Sequence, residues 1–381
     1  MESGGVVIIG TGMAGYGAAR EFRKWDRSTP LTLVTSGDGS AYSKPMLSSA
    51  LAARKSPAQL VSKDAAGMAA ELGAALLTGR TVAGADTPTG TLTLSDGLVL
   101  PWSKLVLAMG ARPRRPEVGL SGGAAIHSVN GLEEYRAFRE SLPEGGRLMI
   151  LGAGLIGCEF AHDFAAAGYR VTMIANGSSP LAGLLPAALA DGLRAALEKL
   201  GVRFVFGDPL RTLLGGPHGL SAVLASGAAI ETDSALSAIG FDPELGLARE
   251  MGLACGKGIQ VDDTLRTSRP GIHALGDCAE MSGRWLPFVA PLTHAAKVLG
   301  QALAGLPAKL VVPPMPVLIK TPSYPVAVLA PAPGSEGAWE VETDPGGGQG
   351  LFRDPQGGLA GFAVTGSRYP ARAELLKLVK A

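Results

Sequence analysis

The fold of this chain is decided by the stretch VVIIGTGMAG at residues 6–15. Residues 6–9 are apolar and mostly β-branched, as in a short buried strand, and residues 14–25 have a composition that suits a helix. The three glycines between them permit a tight turn and a close approach of the backbone to a pyrophosphate, whose charge the helix N-terminus stabilises. The stretch predicts a dinucleotide site, and the alternative is a tight turn without a ligand.

The same order of elements begins again in the middle of the chain. Residues 148–151 read as a strand, the sequence GAGLIG at residues 152–157 repeats the glycine pattern, and residues 155–167 suit a helix. A further strand is predicted at residues 171–174. This internal repeat predicts a second dinucleotide-binding domain.

Three further segments complete the first domain. Residues 31–35 and residues 105–108 have the composition of buried strands. Residues 89–100 alternate around Asp96-Gly97, which predicts a β-hairpin. We therefore expect a βαβ domain with an added hairpin before the repeat begins.

The sequence changes character at Pro313, where a proline-rich passage begins. Residues 326–329 and 359–364 have strand character and residues 371–381 resemble a helix, which together predict a small folded α/β domain. A glycine-rich tract at residues 346–348 leaves a flexible appendage as the alternative.

Composition excludes several classes of function. The chain has 381 residues, a formal net charge of +1 and 18% charged residues, which gives no overall basic field for nucleic acid. No apolar run reaches the length of a membrane span, and Met1 to Ser3 lack the basic region of a signal peptide. We expect a soluble cytoplasmic protein, either a monomer or a homodimer.

Cysteine and histidine provide no redox or metal motif. Cys158, Cys255 and Cys278 are too far apart for a CxxC pair or a zinc pattern. We expect Cys158 and Cys278 to be small buried hydrophobes rather than redox groups. The histidines lack metal-ligand spacing, so no metal is expected. They are His127, His162, His218, His273 and His294.

The ends of the second strands bear on which nucleotide each site takes. An acid usually accepts hydrogen bonds from the adenosine ribose there. The first site offers Ser36 or Asp38, and the second offers Asn176. No arginine cluster near Asn176 would hold a 2′-phosphate, which favours NADH over NADPH.

Three segments carry a family resemblance: LVLAMGARP at residues 105–113, SAIGFDP at residues 237–243 and IHALGD at residues 272–277. With the glycine patterns, they resemble the FAD-dependent pyridine-nucleotide reductase superfamily over residues 5–305. Met109 stands where that family usually has threonine, and Asp242 where it usually has arginine.

The resemblance implies an α/β fold with two Rossmann-like dinucleotide-binding domains, as in glutathione reductase, and a small C-terminal α/β domain. The FAD-binding domain would comprise residues 1–112 and 238–313, and the NADH-binding domain residues 113–237. The C-terminal interface domain would comprise residues 314–381.

The resemblance also implies which residues bind each cofactor. Asp277 would contact the flavin ribityl–phosphate region, although without the family it reads equally well as a turn former or helix cap. The expected FAD contacts are Gly10, Thr11, Gly12, Ala14, Gly15, Ser36, Asp38, Lys44, Pro45, Val82, Ala108, Gly110, Arg112, Gly276, Asp277 and Lys320. The expected NADH contacts are Gly152, Gly154, Leu155, Ile156, Gly157, Glu159, Asn176 and Gly240.

The subclass depends on how electrons leave the flavin. Residues 41–48, AYSKPMLS, contain no thiol where the disulfide reductases carry cysteine, and resemble an element of reductases that serve rubredoxins and ferredoxins. Residues 315–322, Trp339 and residues 361–366 resemble the tail of bacterial rubredoxin–NAD reductases. The resemblance thus implies electron transfer from NADH through FAD to rubredoxin, with the flavin itself delivering the electrons.

Three residues are the expected catalytic groups. We expect Lys44 to lie beside flavin N5 and to pair with Glu159 in the first turn of the second nucleotide helix, linking the two domains. Lys320 would approach the flavin from the tail. On residues alone, Lys44 and Glu159 read as solvated surface charges and Lys320 as a linker lysine.

Rubredoxins are small and acidic, so a positive patch near the flavin would steer docking. The candidates are Lys44, Arg266, Arg284, Lys297 and Lys320. Other acceptors remain open: a ferredoxin, a flavorubredoxin, or the centre served by a nitrite-reductase-type input module. A different class, an NADH-responsive flavin-binding regulatory protein, would keep both glycine patterns.

Overall fold

The structure is a computed structural model that describes residues 4–379, and the chain divides into two compact units. Unit 1 consists of residues 4–44, Ala58–Arg112 and Phe241–Val312. Unit 2 consists of Pro45–Pro57, Pro113–Gly240 and residues 313–379. The chain therefore passes between the units several times, and each unit is assembled from segments distant in sequence.

The elements follow in chain order. The strands are β1 (Gly5–Ile9), β2 (Leu31–Val34), β3 (Ala41–Tyr42), β4 (Val61–Lys63), β5 (Ala75–Leu77), β6 (Val82–Asp86), β7 (Thr91–Leu94), β8 (Val99–Leu107), β9 (Ala111–Pro113), β10 (Gly119–Ser121), β11 (His127–Ser128), β12 (Arg147–Leu151), β13 (Arg170–Ala175), β14 (Arg203–Phe206), β15 (Leu210–Gly216), β16 (Gly219–Leu224), β17 (Ala229–Thr232), β18 (Ser234–Ser237), β19 (Phe241–Pro243), β20 (Ile259–Val261), β21 (Ile272–Ala274), β22 (Ala279–Met281), β23 (Arg284–Trp285), β24 (Val317–Ile319), β25 (Val326–Leu329), β26 (Ala338–Asp344), β27 (Gly347–Arg353) and β28 (Leu359–Gly366). The helices are α1 (Met13–Arg23), α2 (Ala65–Leu72), α3 (Leu132–Glu140), α4 (Leu155–Ala166), α5 (Ala187–Lys199), α6 (Gly246–Glu250), α7 (Val289–Leu303) and α8 (Arg372–Leu378). Short 3-10 turns lie at Lys44–Ser49, Pro57–Leu60, Gly276–Cys278 and Tyr369–Ala371.

Unit 1 is built on a parallel sheet in the order β5-β2-β1-β8-β21. Strand β8 is longer than expected from the sequence, because its first half pairs with β7 and its second half lies between β1 and β21. The predicted hairpin is confirmed as β7 and β8, and Gly97 adopts a φ of +83° at its turn. The doubly wound arrangement places the loop after β1 at the carboxyl edge of the sheet, where such folds bind ligands.

Helices α1 and α7 pack closely on this sheet. A Cβ atom at Gly300 of α7 would lie 2.6 Å from the backbone carbon of Glu21 in α1. Phe22 on α1 is fully buried in the core of unit 1. This packing fixes the direction in which the N-terminus of α1 points.

Unit 2 contains the second parallel sheet, in the order β11-β18-β12-β13-β14. A second sheet, β10-β15-β16-β17, packs against it through buried apolar side chains of both, among them Met149, Ala235 and Leu213. The repeat that the sequence predicts is therefore confirmed as a second strand, glycine turn and helix, formed by β12 and α4.

The C-terminal part of unit 2 is folded. Its five strands form an antiparallel sheet in the order β24-β25-β28-β27-β26, with Phe362, Val364 and Leu375 in a small core. The flexible-appendage alternative is therefore wrong. Helix α8 covers most of the helix expected at residues 371–381, of which residues 380–381 lie outside the described part of the chain.

This C-terminal sheet packs on helix α5 of the same unit. A Cβ atom at Gly348 would meet the Leu189 side chain at 2.5 Å, and one at Gly192 would meet the Tyr324 hydroxyl at 2.2 Å. Tyr324 is itself held by a 3.0 Å hydrogen bond to the Thr365 hydroxyl. Gly192 therefore provides the space that the C-terminal sheet needs.

We expect Gly192→Ala to destabilise the protein by about 1–3 kcal/mol, because overpacking of a close contact strains the backbone. The sign of the change in the free energy of unfolding is informative. Replacing glycine by alanine in an exposed helix normally stabilises a protein by about 1 kcal/mol. The measurement is the denaturant midpoint of unfolding. Adding Tyr324→Phe removes the atom nearest the new methyl group and should recover part of the loss. A stabilised Gly192→Ala variant would contradict this contact.

Candidate active site

In the loop after β1, Gly10 and Gly15 leave no room for a side chain, whereas Gly12 does. A Cβ atom at Gly10, where φ is +111°, would lie 2.2 Å from the Ala108 carbonyl oxygen. One at Gly15 would lie 1.9 Å from the Gly10 carbonyl oxygen. A Cβ atom at Gly12 would meet nothing within 4 Å, so the middle glycine leaves open space above the loop.

The loop after β12 repeats this geometry in unit 2. A Cβ atom at Gly152, where φ is +99°, would lie 2.6 Å from the Ala238 carbonyl oxygen, and one at Gly157 would lie 2.2 Å from the Gly152 carbonyl oxygen. At Gly154 nothing lies within 4 Å. Each unit therefore has one cradle that a side chain would fill.

Both helices that follow these loops begin without a side-chain cap. Gly12 is the N-cap of α1 and Gly154 that of α4, and neither position has a side chain to accept from the first N–H groups. The N–H groups of a first helical turn have no acceptor within the helix and attract anions. The two cradles therefore fit the pyrophosphates of two dinucleotides.

Asp277 belongs to a turn that lies beside the start of α1. It follows β21 in a 3-10 turn, and a Cβ atom at Gly276 would lie 2.7 Å from the Ala14 Cβ near the start of α1. The Trp285 indole N–H donates to the Asp277 carbonyl oxygen at 2.8 Å and fixes this turn. The backbone turn that carries Asp277 is thereby held beside the start of α1.

Lys44 lies near the Asp277 carboxylate, with its Nζ 3.9 Å from Asp277 Oδ2. Burial raises the pKa of Asp277, and the Lys44 charge partly offsets this effect. The Lys44 side chain is 39% exposed. At this separation the pair is an electrostatic contact rather than a hydrogen bond.

The residues expected to contact the adenosine ribose are exposed in both sites. Asp38 accepts hydrogen bonds from the Ser40 N–H at 2.8 Å and the Ser40 hydroxyl at 3.0 Å, which form a local turn. Ser36 is exposed after β2, and Asn176 is exposed directly after β13. These positions are compatible with the ribose contacts that the sequence predicts, and those contacts stay predictions.

The other expected FAD and NADH contacts differ in their burial. Ala108 is buried directly after β8, and Gly110, with a φ of +73°, has open space where a side chain would stand. Arg112 is 69% exposed and lies 3.9 Å from Glu244. Val82 instead packs against the core of unit 1. In unit 2, Gly240 is exposed after β18.

A second group of polar residues surrounds Lys320 in unit 2. We call Lys320, Glu159, Ser48 and the Pro45 carbonyl the Lys320 cluster. The ammonium donates to the Pro45 oxygen and the Ser48 hydroxyl, each at 2.8 Å, and to Glu159 Oε2. Glu159 Oε1 accepts from the Lys320 backbone N–H at 2.9 Å, and Ser48 donates to Glu159 Oε2 at 2.6 Å.

The cluster changes two expectations. Glu159 is 7% exposed, so the reading as a solvated surface charge is wrong for this residue. It lies past the first turn of α4, because the helix begins at Leu155. Within unit 2 its cation is Lys320, whereas the sequence suggested Lys44; the pairing of Lys44 with Glu159 stays a prediction. The reading of Lys320 as a linker lysine is wrong, because its ammonium donates hydrogen bonds to three acceptors.

Sequence reasoning did not identify Ser48 or Asp163 as site residues. Ser48 is bonded to a carboxylate that is 111 residues away in the sequence. Asp163 accepts from two backbone N–H groups of the segment that contains Ser48. The one available signal was a pair of carboxylates, at 159 and 163, on the apolar helix α4.

Burial raises the pKa of all three cysteine thiols. Burial and the nearby Glu159 raise the pKa of Cys158 to about 12, and burial raises the pKa of Cys278 to about 11. Cys255 is partly exposed, and burial raises its pKa as well. The expectation that Cys158 and Cys278 are buried hydrophobes is confirmed.

The described part of the chain, residues 4–379, contains no group of three or more histidine, cysteine or acidic side chains placed to hold a metal ion. None of its helices combines the length and apolar character that crossing a membrane requires.

Two sequence families match the chain. Residues 4–298 match the family described as pyridine nucleotide-disulphide oxidoreductase. Residues 309–379 match the rubredoxin binding C-terminal domain. The two matches together cover both glycine loops and the C-terminal sheet.

Individual relatives are similar over nearly the full length. The chain is 41% identical over 373 residues to a rubredoxin-NAD(+) reductase of Alcanivorax borkumensis, covering 98% of this chain and 97% of that protein. It is 38% identical to a nitric oxide reductase FlRd-NAD(+) reductase of Aeromonas hydrophila, covering 98% and 95%. Among solved structures, NADH:rubredoxin oxidoreductase from Clostridium acetobutylicum has the same fold, with a TM-score of 0.83, 19% identity, and coverage of 99% and 95%.

Proposed function

Because this chain belongs to the pyridine nucleotide-disulphide oxidoreductase family, we propose that it passes electrons from NADH through bound FAD to rubredoxin. The observation that carries the proposal is the pair of open glycine cradles, one in each unit of the same chain. The rubredoxin-binding match at residues 309–379 supports rubredoxin as the acceptor.

The proposal places one cofactor in each cradle, in the order that the family resemblance implies. FAD binds at the loop of Gly10, Gly12 and Gly15, and NADH binds at the loop of Gly152, Gly154 and Gly157. When bound, FAD supplies the chemistry that accepts a hydride and releases single electrons. No thiol lies in residues 41–48, so the chain needs no disulfide step between NADH and rubredoxin.

Three side chains are proposed to serve the hydride step. Lys44 and Lys320 would place positive charge near the flavin, where it stabilises the anionic reduced form. Glu159 would orient Lys320 through the bonds to its ammonium and its backbone N–H. Asp277 would hold the ribityl–phosphate region of FAD beside α1.

The domain assignment is part of the same proposal. Residues 1–112 and 238–313 would bind FAD, residues 113–237 would bind NADH, and residues 314–381 would form the interface domain. The C-terminal sheet, from β24 to β28, packs on α5 within unit 2. A cytoplasmic location is also part of this proposal.

The test is the rate of NADH-dependent reduction of added rubredoxin, compared with ferredoxin and oxygen. We expect fast multiple turnover with rubredoxin. Because basic residues would steer an acidic partner, that rate should fall roughly tenfold between about 0.05 and 0.5 M salt, while NADH-to-dye turnover changes little. If both rates respond equally to salt, basic residues do not steer the partner to this protein.

The same assay separates the rival functions. The similarity to a nitric oxide reductase FlRd-NAD(+) reductase favours a flavorubredoxin as the second candidate acceptor. If turnover with a flavorubredoxin is far faster than with rubredoxin, the acceptor is a flavorubredoxin and the proposed reductase activity still holds. Reduction of the flavin by NADH without turnover to any iron protein would instead support a regulatory flavin-binding protein.

A further inference from the structure

Helix α4 carries three buried polar residues, Glu159, His162 and Asp163, that are 7%, 7% and 2% exposed. Their spacing of i, i+3 and i+4 places them on one side of the helix. A polar side chain in the interior is stable only with hydrogen-bond partners. The partners of these three residues come from two segments that are far away in the sequence.

Asp163 holds the first segment. Its Oδ2 accepts from the Leu51 N–H at 3.0 Å, and its Oδ1 accepts from the Ala52 N–H at 2.8 Å. Burial raises the pKa of Asp163, and the two backbone amides together with the charges of Arg139 and Lys320 oppose this rise. Both carboxylate oxygens are therefore used to fasten the backbone after Ser48 to α4.

His162 holds the second segment. Its Nε2 accepts from the Ser323 N–H at 3.2 Å and lies 2.9 Å from the Ser323 hydroxyl. Burial lowers the pKa of His162, which favours the neutral ring that can accept at Nε2. The turn that follows Lys320 is thereby fixed to the same side of α4.

The Lys320 cluster connects the segment held by Asp163 with the segment held by His162. An ammonium has three N–H donors, and here Glu159, Ser48 and the Pro45 carbonyl accept from it. Two of these acceptors belong to the segment that Asp163 holds. The position of the Lys320 ammonium therefore depends on the position of Pro45 and Ser48.

The division of the chain into units agrees with this dependence. Pro45–Pro57 belongs to unit 2, although the residues on either side of it in the sequence belong to unit 1. Two hydrogen bonds join the backbone of this segment to Asp163 on α4. One more joins the Ser48 side chain to Glu159 on the same helix. Asp163 is thus a main attachment of the segment to unit 2.

We propose that Asp163 is a positioning residue for hydride transfer, which acts by holding Leu51 and Ala52 on α4 and thereby placing the acceptors of the Lys320 ammonium. The inference rests on the proposed function, because it gives Lys320 a role in flavin reduction. Asp163 touches neither nucleotide loop in this scheme. It acts only through the segment that it fastens.

The first experiment compares FAD-loaded wild type, Asp163→Ala and Asp163→Asn by stopped-flow reduction with saturating NADH. We expect the alanine variant to reduce its flavin roughly tenfold to a hundredfold more slowly, because small misplacements of a reacting group have such effects. The Kd for NADH should stay within about twofold. The asparagine variant keeps one accepting oxygen and should fall between the two.

A second measurement reports on the segment itself. Hydrogen exchange of the peptide that contains Leu51 and Ala52 should accelerate in Asp163→Ala, without NADH present. If exchange accelerates while the rate of flavin reduction stays that of wild type, the proposal is wrong. If the alanine variant does not fold, the asparagine variant decides by the same two readouts.

Asp233→Asn is the matched control. This carboxylate also lies in unit 2 and accepts from the Arg147 backbone N–H at 2.7 Å, but at the start of β12, away from the glycine loop. We expect it to lower stability and to leave the hydride step within about twofold of wild type. An equal slowing in both variants would show a general loss of structure and overturn the proposal.

A double variant tests the route through Ser48. If Asp163 acts by placing Ser48, adding Ser48→Ala to Asp163→Ala should slow flavin reduction much less than it does in the wild type. Fully additive effects would contradict that route. All these readouts use flavin reduction by NADH, so an acceptor other than rubredoxin would alter the proposed function without affecting this test.

Discussion

Replacing Gly154 by alanine is expected to weaken NADH binding about tenfold or more, which corresponds to roughly 1.4 kcal/mol or more. A Cβ atom at this position meets no protein atom within 4 Å, so the variant should fold normally. The methyl group would stand in the open cradle, where the backbone must approach the pyrophosphate. The measurements are the Kd and KM for NADH, together with FAD content and thermal stability.

Gly157→Ala is the control for this prediction. Its Cβ atom would lie 2.2 Å from the Gly152 carbonyl oxygen, so the loop itself must shift. We expect this variant to lose stability, whereas Gly154→Ala should not. An unchanged Kd for NADH in Gly154→Ala would show that the nucleotide does not bind above the middle glycine.

The second large effect is expected for Lys320→Met, which should slow flavin reduction by NADH about a hundredfold or more. The change removes the cation that is proposed to stabilise the reduced flavin. It also leaves the Glu159 carboxylate, with a side chain 9% exposed, without the ammonium that it accepts from. Stopped-flow absorbance of the flavin at saturating NADH measures the step directly.

One companion variant, Lys320→Met with Glu159→Gln, separates catalysis from stability. Removing an ion-pair partner leaves a costly buried charge, so Lys320→Met alone should be destabilised. Adding Glu159→Gln removes that charge and should recover stability but not the rate. If the double variant reduces its flavin as fast as wild type, Lys320 is a structural residue only.

Lys44→Met provides the comparison from unit 1. Within unit 1, the Lys44 ammonium lies 3.9 Å from the Asp277 carboxylate. A slower hydride step would support its proposed position beside the flavin. An unchanged rate of flavin reduction would show that the Lys44 charge is not needed for hydride transfer.

The sequence by itself determined the two nucleotide loops and the elements beside them. Gly10 and Gly152 require positive φ, and Gly15 and Gly157 admit no side chain because the preceding turn is too close. These constraints act within a few residues, as do the apolar patterns of β1 and β12. Local sterics and periodicity are readable without a fold, so both loops were predictable.

Only the tertiary structure decided the partners of the buried charges. Glu159 and Lys320 are 161 residues apart, and several cations could have satisfied the carboxylate on charge alone. The choice follows from the packing of β24 and the Pro45–Pro57 segment around α4, where Asp163 anchors the backbone. Burial selects such pairs because an unpartnered charge is too costly in the interior, and burial is a property of the folded chain.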